Sequence, residues 1–183
     1  MNTLERNLKN IITFLKKENV PYMVIGGIAN VVWGRARLTQ DLDITIFCKE
    51  TDILDLIKKL TGKFKVLPDE PYSFVKQTRV LPLIGDEGLR IDLIFGQLPY
   101  EELAMRRAKT VKLGNISVKI CTAEDLIIHK IISERPIDKE DIRWIIKRQN
   151  KNLDREYLDA IVKELSYLLE KQEIWKFYLD CFH

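Results

Sequence analysis

Asp41 and Asp43 stand one residue apart at the mouth of an apolar run, and Asp92 sits in the middle of another, Leu89-Arg90-Ile91-Asp92-Leu93-Ile94-Phe95. On an extended segment, residues two apart point to the same face, so Asp41 and Asp43 direct their carboxylates together. Two acids on one face repel each other unless a cation sits between them. Donors that are all oxygen suit Mg²⁺, with Mn²⁺ as the alternative; Mg²⁺ takes one or two carboxylates together with substrate phosphates. An unpaired carboxylate inside a run such as that around Asp92 would cost on the order of several kcal/mol to bury. A neighbouring strand that brought Asp92 beside the pair would resolve this cost through a bound cation. Asp41, Asp43 and Asp92 would then form a metal cluster able to hold two ions about 3.5–4 Å apart, the arrangement used for in-line displacement at phosphorus. In that scheme Asp92 lies nearest the incoming hydroxyl and is the candidate general base. A plainer arrangement is open as well: Asp41 in a loop, Asp43 exposed at a strand start, and Asp92 paired with Arg90 or another cation.

Upstream, the run Val24-Ile25 ends in Gly26-Gly27, and Arg35-Ala36-Arg37-Leu38-Thr39 leads into the acids. Paired glycines give a tight turn where no Cβ keeps the backbone from a phosphate. Together with Asp92 downstream, the stretch reads as a site for a metal-bound nucleotide.

The elements that would position these residues follow from periodicity. Leu4, Leu8, Ile11, Ile12 and Leu15 predict a helix over about 3–18, capped by Thr3 or Asn2 and closed before Pro21. Tyr22–Ile25 and Leu42–Phe47 read as strands, with a short helix over Ile28–Trp33 between them. Thr51 and Asp52 open a helix whose Ile53, Leu54, Ile57 and Leu60 share a face, and Gly62 stops it. An edge strand is expected near Phe64–Leu67. Residues 68–88, with Pro68, Pro71, Pro82, Gly85 and Gly88, look irregular apart from one strand around Thr78–Leu83. Leu89–Phe95 is the next strand, and Pro99–Ala108 a helix with Glu101 and Glu102 in its first turn. Gly114-Asn115 between Val111–Leu113 and Ile116–Ile120 signals a hairpin. Thr122-x-x-Asp125 caps a helix reaching about Ser133, and Pro136 separates it from one over Asp138–Arg148. Two more helices are expected over 154–170 and 173–181, the first with Leu158, Ile161, Val162, Leu165, Leu168 and Leu169 on a broad apolar face. The fold class is therefore α+β: a short mixed β-sheet flanked by helices over residues 1–121, then a C-terminal helical region over 122–183 packed on that core. Trp33, Trp144 and Trp175 are expected in the core.

Composition bounds the function. The chain has 183 residues, 46% hydrophobic and 31% charged, which describes an ordinary globular protein with enough apolar material for a core. Its net charge of +3, from 30 Lys+Arg against 27 Asp+Glu, gives no argument for a nucleic-acid partner. Arg106, Arg107 and Lys109, and further on Arg143, Lys147, Arg148 and Lys151, read as solvated faces as readily as phosphate-backbone contacts. Three scattered cysteines and no recognisable signal peptide fit a reducing cytoplasm and give no zinc site. No apolar run approaches the roughly 18–20 residues of a membrane span, so no membrane partner is expected.

Ile25-Gly26-Gly27, Arg37-x-Thr39-x-Asp41-x-Asp43 and the later Asp92 resemble the nucleotidyltransferase superfamily with the DNA polymerase β-type fold. Within it the chain looks most like the AbiEii-like nucleotidyltransferases, which include toxins of type IV toxin–antitoxin pairs. Lys130, Arg135 and the spaced pair Asp138 and Asp141 resemble that family's helical motif, and the likeness spans roughly residues 20–148. Gly26-Gly27 stands where many members carry Gly-Ser, removing a hydroxyl that could bond a phosphate. The resemblance implies Mg²⁺ on Asp41, Asp43 and Asp92, with NTP as the substrate. It further implies that Gly26 and Gly27 approach the triphosphate and that Arg37 and Thr39 contact phosphate or position Asp41. Lys130 would reach the nucleotide as part of the catalytic set, with Asp138 and Asp141 orienting Lys130 or Arg135. Lys130 and Glu134 also fit an ordinary i,i+4 surface pair, and Asp138 an ordinary helix cap. The acceptor of the nucleotide could be an RNA end, a protein side chain or a small molecule, and a toxin would need an antitoxin partner. Two other classes fit the same acids: a nucleotide-binding module without turnover, and a metal-dependent phosphohydrolase.

Overall fold

The computed structural model describes residues 2–39, 41–133 and 135–182, so the Lys130–Glu134 pair weighed above lies outside the described residues. The chain divides into two compact units. One comprises Met1–Ile28 with Leu38–Cys121, and the other Ala29–Arg37 with Thr122–His183.

The first unit is built on a seven-stranded mixed sheet: β1 (Tyr22–Val24), β2 (Asp41–Ile46), β3 (Lys65–Val66), β4 (Val80–Ile84), β5 (Arg90–Phe95), β6 (Lys109–Leu113) and β7 (Ile116–Ile120). Their spatial order is β3-β4-β5-β2-β1-β7-β6. β2 runs parallel to β5 and β1 parallel to β7, while the remaining neighbours are antiparallel. The fold is thus α+β with a mixed sheet, as the pattern predicts. Leu42, Ile44 and Ile46 of β2 and Ile91, Leu93 and Phe95 of β5 are buried on one face. Period-2 alternation therefore puts the intervening Asp41, Asp43, Arg90 and Asp92 on the other.

α1 (Thr3–Lys17) begins at Asn2, whose side-chain oxygen accepts the Glu5 N–H at 2.8 Å while Glu5 caps the Asn2 N–H in return. α2 (Gly26–Trp33) starts at the glycine pair itself, two residues before the expected start, and α3 (Ile53–Thr61) follows β2. α3 buries Ile53, Leu56, Ile57 and Leu60, whereas Leu54 is half exposed. At 100° per residue, Leu56 shares the stripe of Ile53 and Leu60, and Leu54 turns off it. Sequence reading missed α4 (Pro71–Thr78), because the density of Pro and Gly around it signalled irregular chain. Pro71 in fact occupies the first turn, where a missing N–H costs nothing. Pro82 sits inside β4, between β3 and β5. Its carbonyl accepts from Leu67 just beyond the two-residue edge strand, the side on which its own lost donor would point. α5 (Pro99–Arg107) carries Glu101, whose carboxylate caps the Gln97 and Leu98 N–H groups and receives Arg79 at 2.5 Å.

The second unit consists of the later part of α2 with α6 (Ala123–Ile131), α7 (Pro136–Gln149), α8 (Arg155–Leu168) and α9 (Gln172–Asp180). Thr122 caps α6 through the Asp125 N–H. Tyr157 donates to Asp125 at 2.7 Å and the Asp154 N–H to Glu124 at 3.0 Å, which ties α8 to α6. The buried stripe of α8 is narrower than expected: Leu158 and Val162 are inside, but Leu168 and Leu169 fall at the helix end and are exposed. Trp33, Trp144 and Trp175 are half-buried rather than core. The Trp144 ring instead faces the Arg35 guanidinium at 5.3 Å and the Lys147 ammonium at 5.0 Å. No helix among the described residues is long and apolar enough to cross a membrane.

Candidate active site

The parallel register of β2 and β5 sets Asp43 directly opposite Asp92 and Asp41 directly opposite Arg90. Two adjacent rows on one face of the sheet therefore hold Asp41, Asp43 and Asp92. Asp92 is engaged: the Arg90 Nε–H lies 3.0 Å from both of its carboxylate oxygens. This is the alternative pairing anticipated for Asp92. Thr39 donates its hydroxyl to Asp41 Oδ1 at 3.0 Å.

The two glycines serve these side chains. Gly26 has φ +61°, and a Cβ there would lie 1.9 Å from Asp43 Oδ2. At Gly27 a Cβ would meet the Thr39 hydroxyl at 2.3 Å. The absent side chains are thus filled by Asp43 and Thr39. The Ile25 N–H donates to the Asp43 carbonyl at 2.9 Å, fixing the end of β1 against the acid. Because Gly26 opens α2, the Asp43 carboxylate packs at the positive end of a helix dipole, where negative charge is favoured.

Among the described residues no three His, Cys, Asp or Glu side chains stand together as a ready-made ion cage. Mg²⁺ does not need one, since it is commonly held by one or two carboxylates and completed by waters and phosphate oxygens. Asp43 and Asp92, paired across the strands and all-oxygen in character, fit such an ion, with Asp41 in the same row as Asp43.

The other expected residues gather in the second unit. Lys130, only 6% exposed, donates to Asp138 at 2.7 Å and to Asp141 at 2.8 Å. Asp138 also accepts from Ser133 at 2.7 Å and Arg135 at 2.6 Å. Asp141 accepts from Asn30 at 3.0 Å and from Arg37 through Nε and Nη2 at 3.3 and 3.2 Å. Burial alone would raise the Asp138 carboxyl, but the hydrogen bonds from Lys130, Ser133 and Arg135 outweigh it and hold the group below the usual carboxylate range.

Arg37 is thus a counter-ion of Asp141, and Lys130 a buried counter-ion of both Asp138 and Asp141. The reason is electrostatic: Asp138 and Asp141 are each 99% buried, and one ammonium cannot neutralise both. Asp138 holds both Lys130 and Arg135, while Asp141 holds Lys130 and Arg37. Sequence reading missed Asn30 and Ser133. An Asn within Ile28-Ala29-Asn30-Val31-Val32 is the signal that could have pointed to the first, since a polar residue in a buried helical run needs partners.

A family described as nucleotidyl transferase of unknown function (DUF2204) matches residues 4–177, nearly the whole chain. The chain belongs to that family, and the protein is a nucleotidyltransferase. Its structure is similar to the solution structure of the antibiotic-resistance factor ANT(2'')-Ia, with TM-score 0.62, 15% identity, and 94% of this chain and 98% of that one covered. It is similar to the lincomycin-bound lincosamide antibiotic adenylyltransferase LnuA, with TM-score 0.54, 14% identity, and 77% and 95% covered. It also resembles an antigenic nucleotidyltransferase-like protein from Paracoccidioides brasiliensis, with TM-score 0.53, 18% identity and 93% of each chain covered. At these identities the likeness is one of fold. No curated protein matches the chain.

Proposed function

We propose that the protein is an Mg²⁺-dependent nucleotidyltransferase that moves a nucleoside monophosphate from an NTP to an acceptor hydroxyl or phosphate and releases pyrophosphate. The observation that carries this reading is the Asp43–Asp92 register, with Asp43 seated on Gly26. It sets two carboxylates side by side on neighbouring strands next to a helix start. A divalent cation bound there would neutralise triphosphate charge and lower the cost of the departing pyrophosphate. Asp43 and Asp92 would hold it, with Asp41 kept in place by Thr39. The start of α2 at Gly26-Gly27, free of side chains, would offer its first amides to a triphosphate oxygen. Asp92 is the base candidate for the acceptor hydroxyl, a role that requires its oxygens to leave Arg90.

The AbiEii-like relationship, and with it a toxin paired with an antitoxin, rests on the motif residues Gly26-Gly27, Asp41-x-Asp43, Lys130 and Asp138-x-x-Asp141. A small-molecule acceptor draws support from the fold neighbours, two of which are an antibiotic adenylyltransferase and an antibiotic-resistance factor. The test is transfer of label from each α-³²P NTP to three separate pools: total RNA, bulk protein, and a mixture of aminoglycosides and lincosamides. Label appearing in one pool, with stoichiometric pyrophosphate, names the acceptor class. Release of orthophosphate alone would instead identify a phosphohydrolase, and tight NTP binding with no release in any pool an inactive nucleotide-binding module.

A further inference from the structure

Arg90 and Asp92 alternate along β5, so both side chains stand on the face that carries Asp41 and Asp43. Three carboxylates and one guanidinium therefore share two adjacent rows. Three carboxylates crowded on one face repel each other unless a local cation stands among them. Arg90 supplies one, and it does so in a particular way: its Nε–H is shared by both Asp92 oxygens, 3.0 Å from each. Held like this, both Asp92 oxygens face the guanidinium, whose positive charge opposes a second cation beside them. The partners differ in exposure, 18% for the Asp92 side chain and 53% for that of Arg90. The carboxylate is fixed in the sheet, while the arm that covers it reaches into solvent. An ion pair with one partner half exposed is easily exchanged.

We infer that Arg90 is the resident counter-ion of the site, neutralising Asp92 in the free protein and exchanged for the divalent cation when the site loads. This rests on the metal-dependent transferase reading and adds a residue that sets how readily the cation is taken. Arg90 acts through Asp92 and is a positioning residue. Once displaced, its guanidinium stays on the same face, two residues from the acid it released.

The test is Mn²⁺ binding without nucleotide, followed by electron paramagnetic resonance of the free ion. It compares the wild type, Arg90→Gln, Arg90→Lys, Asp43→Asn and the Arg90→Gln/Asp92→Asn double variant. Removing a competing exposed ion pair should tighten Mn²⁺ binding about 2- to 5-fold in Arg90→Gln. Arg90→Lys should return toward the wild-type value by restoring the charge, and the gain should vanish in the double variant. Binding by Arg90→Gln no tighter than wild type overturns the inference, as does a gain that persists without Asp92. Wild-type Mn²⁺ affinity in Asp43→Asn would overturn the metal reading and this inference together. Loss of affinity in Asp43→Asn with no gain in Arg90→Gln would overturn this inference alone. The wild-type protein offers a check that needs no folded variant: the Arg90 Nε–H resonance should shift when Mg²⁺ is added. A resonance unmoved by saturating Mg²⁺ contradicts the exchange.

Discussion

Replacing Lys130 with Met removes the ammonium from a site where it faces two carboxylates, each 1% exposed. Breaking a buried pair by deleting one partner costs about 3–5 kcal/mol, because the charge left behind has lost both water and its counter-ion. Here the remaining charges keep donors. Asp138 retains Ser133 and Arg135, and Asp141 retains Asn30 and Arg37. The expected loss therefore sits at the low end, about 3 kcal/mol. For a chain of this length, a kcal/mol is worth roughly 2–4 °C of Tm, so the midpoint should fall by about 6–12 °C. Equilibrium urea unfolding, followed by circular dichroism, measures the loss directly. Lys58→Met is the control, an exposed lysine on α3 whose loss should stay within about 0.5 kcal/mol. A Lys130→Met loss under about 1 kcal/mol would refute the view that this lysine is a buried structural counter-ion, and would return it to the candidates for nucleotide contact.

Gly26→Ala should lower transfer activity about 10²-fold, because its Cβ would stand 1.9 Å from Asp43 Oδ2 and push the acid off position. Gly88→Ala separates site displacement from backbone strain. Its φ of +76° carries a similar cost of about 1–2 kcal/mol, yet nothing lies within 4 Å of its Cβ, so it should lose stability and keep activity. Since the Asp138 carboxyl is held below its ordinary range, its stabilisation is present above the unfolded pKa of about 3.9 and lost as pH falls through the lower folded value. The advantage of wild type over Asp138→Asn in urea should thus hold at pH 5–7 and shrink below about pH 4; an advantage constant down to pH 3 would contradict the assignment. Asn30→Ala should destabilise by about 1–3 kcal/mol in the same assay, as it removes a buried donor from Asp141.

Much of the sheet was legible because its signals are local. Leu42 to Ile46 alternates, Leu89 to Phe95 is an apolar run of strand length, Gly114-Asn115 marks a hairpin, and Asn2 and Thr122 offer helix starts that the structure contains. The same alternation put Asp41 with Asp43. The pairing of Asp43 with Asp92 was expected only in outline, since register between strands 49 residues apart is set by non-local packing. What the sequence concealed was which cation meets which acid. Arg37 precedes Asp41 by four residues yet bonds Asp141, a buried carboxylate on α7 that needs a counter-ion. The glycine pair was read as room for a phosphate. Its nearer cause is room for Asp43 and Thr39, side chains that lie 12 or more positions downstream. α4 was hidden for a different reason: the prolines that signal loops also suit first turns, and only the tertiary setting decides.

Asp43, paired with Asp92 and seated on Gly26, is proposed as the metal-binding acid of nucleotide transfer. The decisive experiment is pyrophosphate release by the wild type and by Asp43→Asn, with Mg²⁺, each of the four NTPs and the acceptor pools. Release by the wild type and only background release by Asp43→Asn are expected, with the variant's Tm at or above the wild-type value because one of the repelling acids is gone. Full turnover by a folded Asp43→Asn protein would contradict this role.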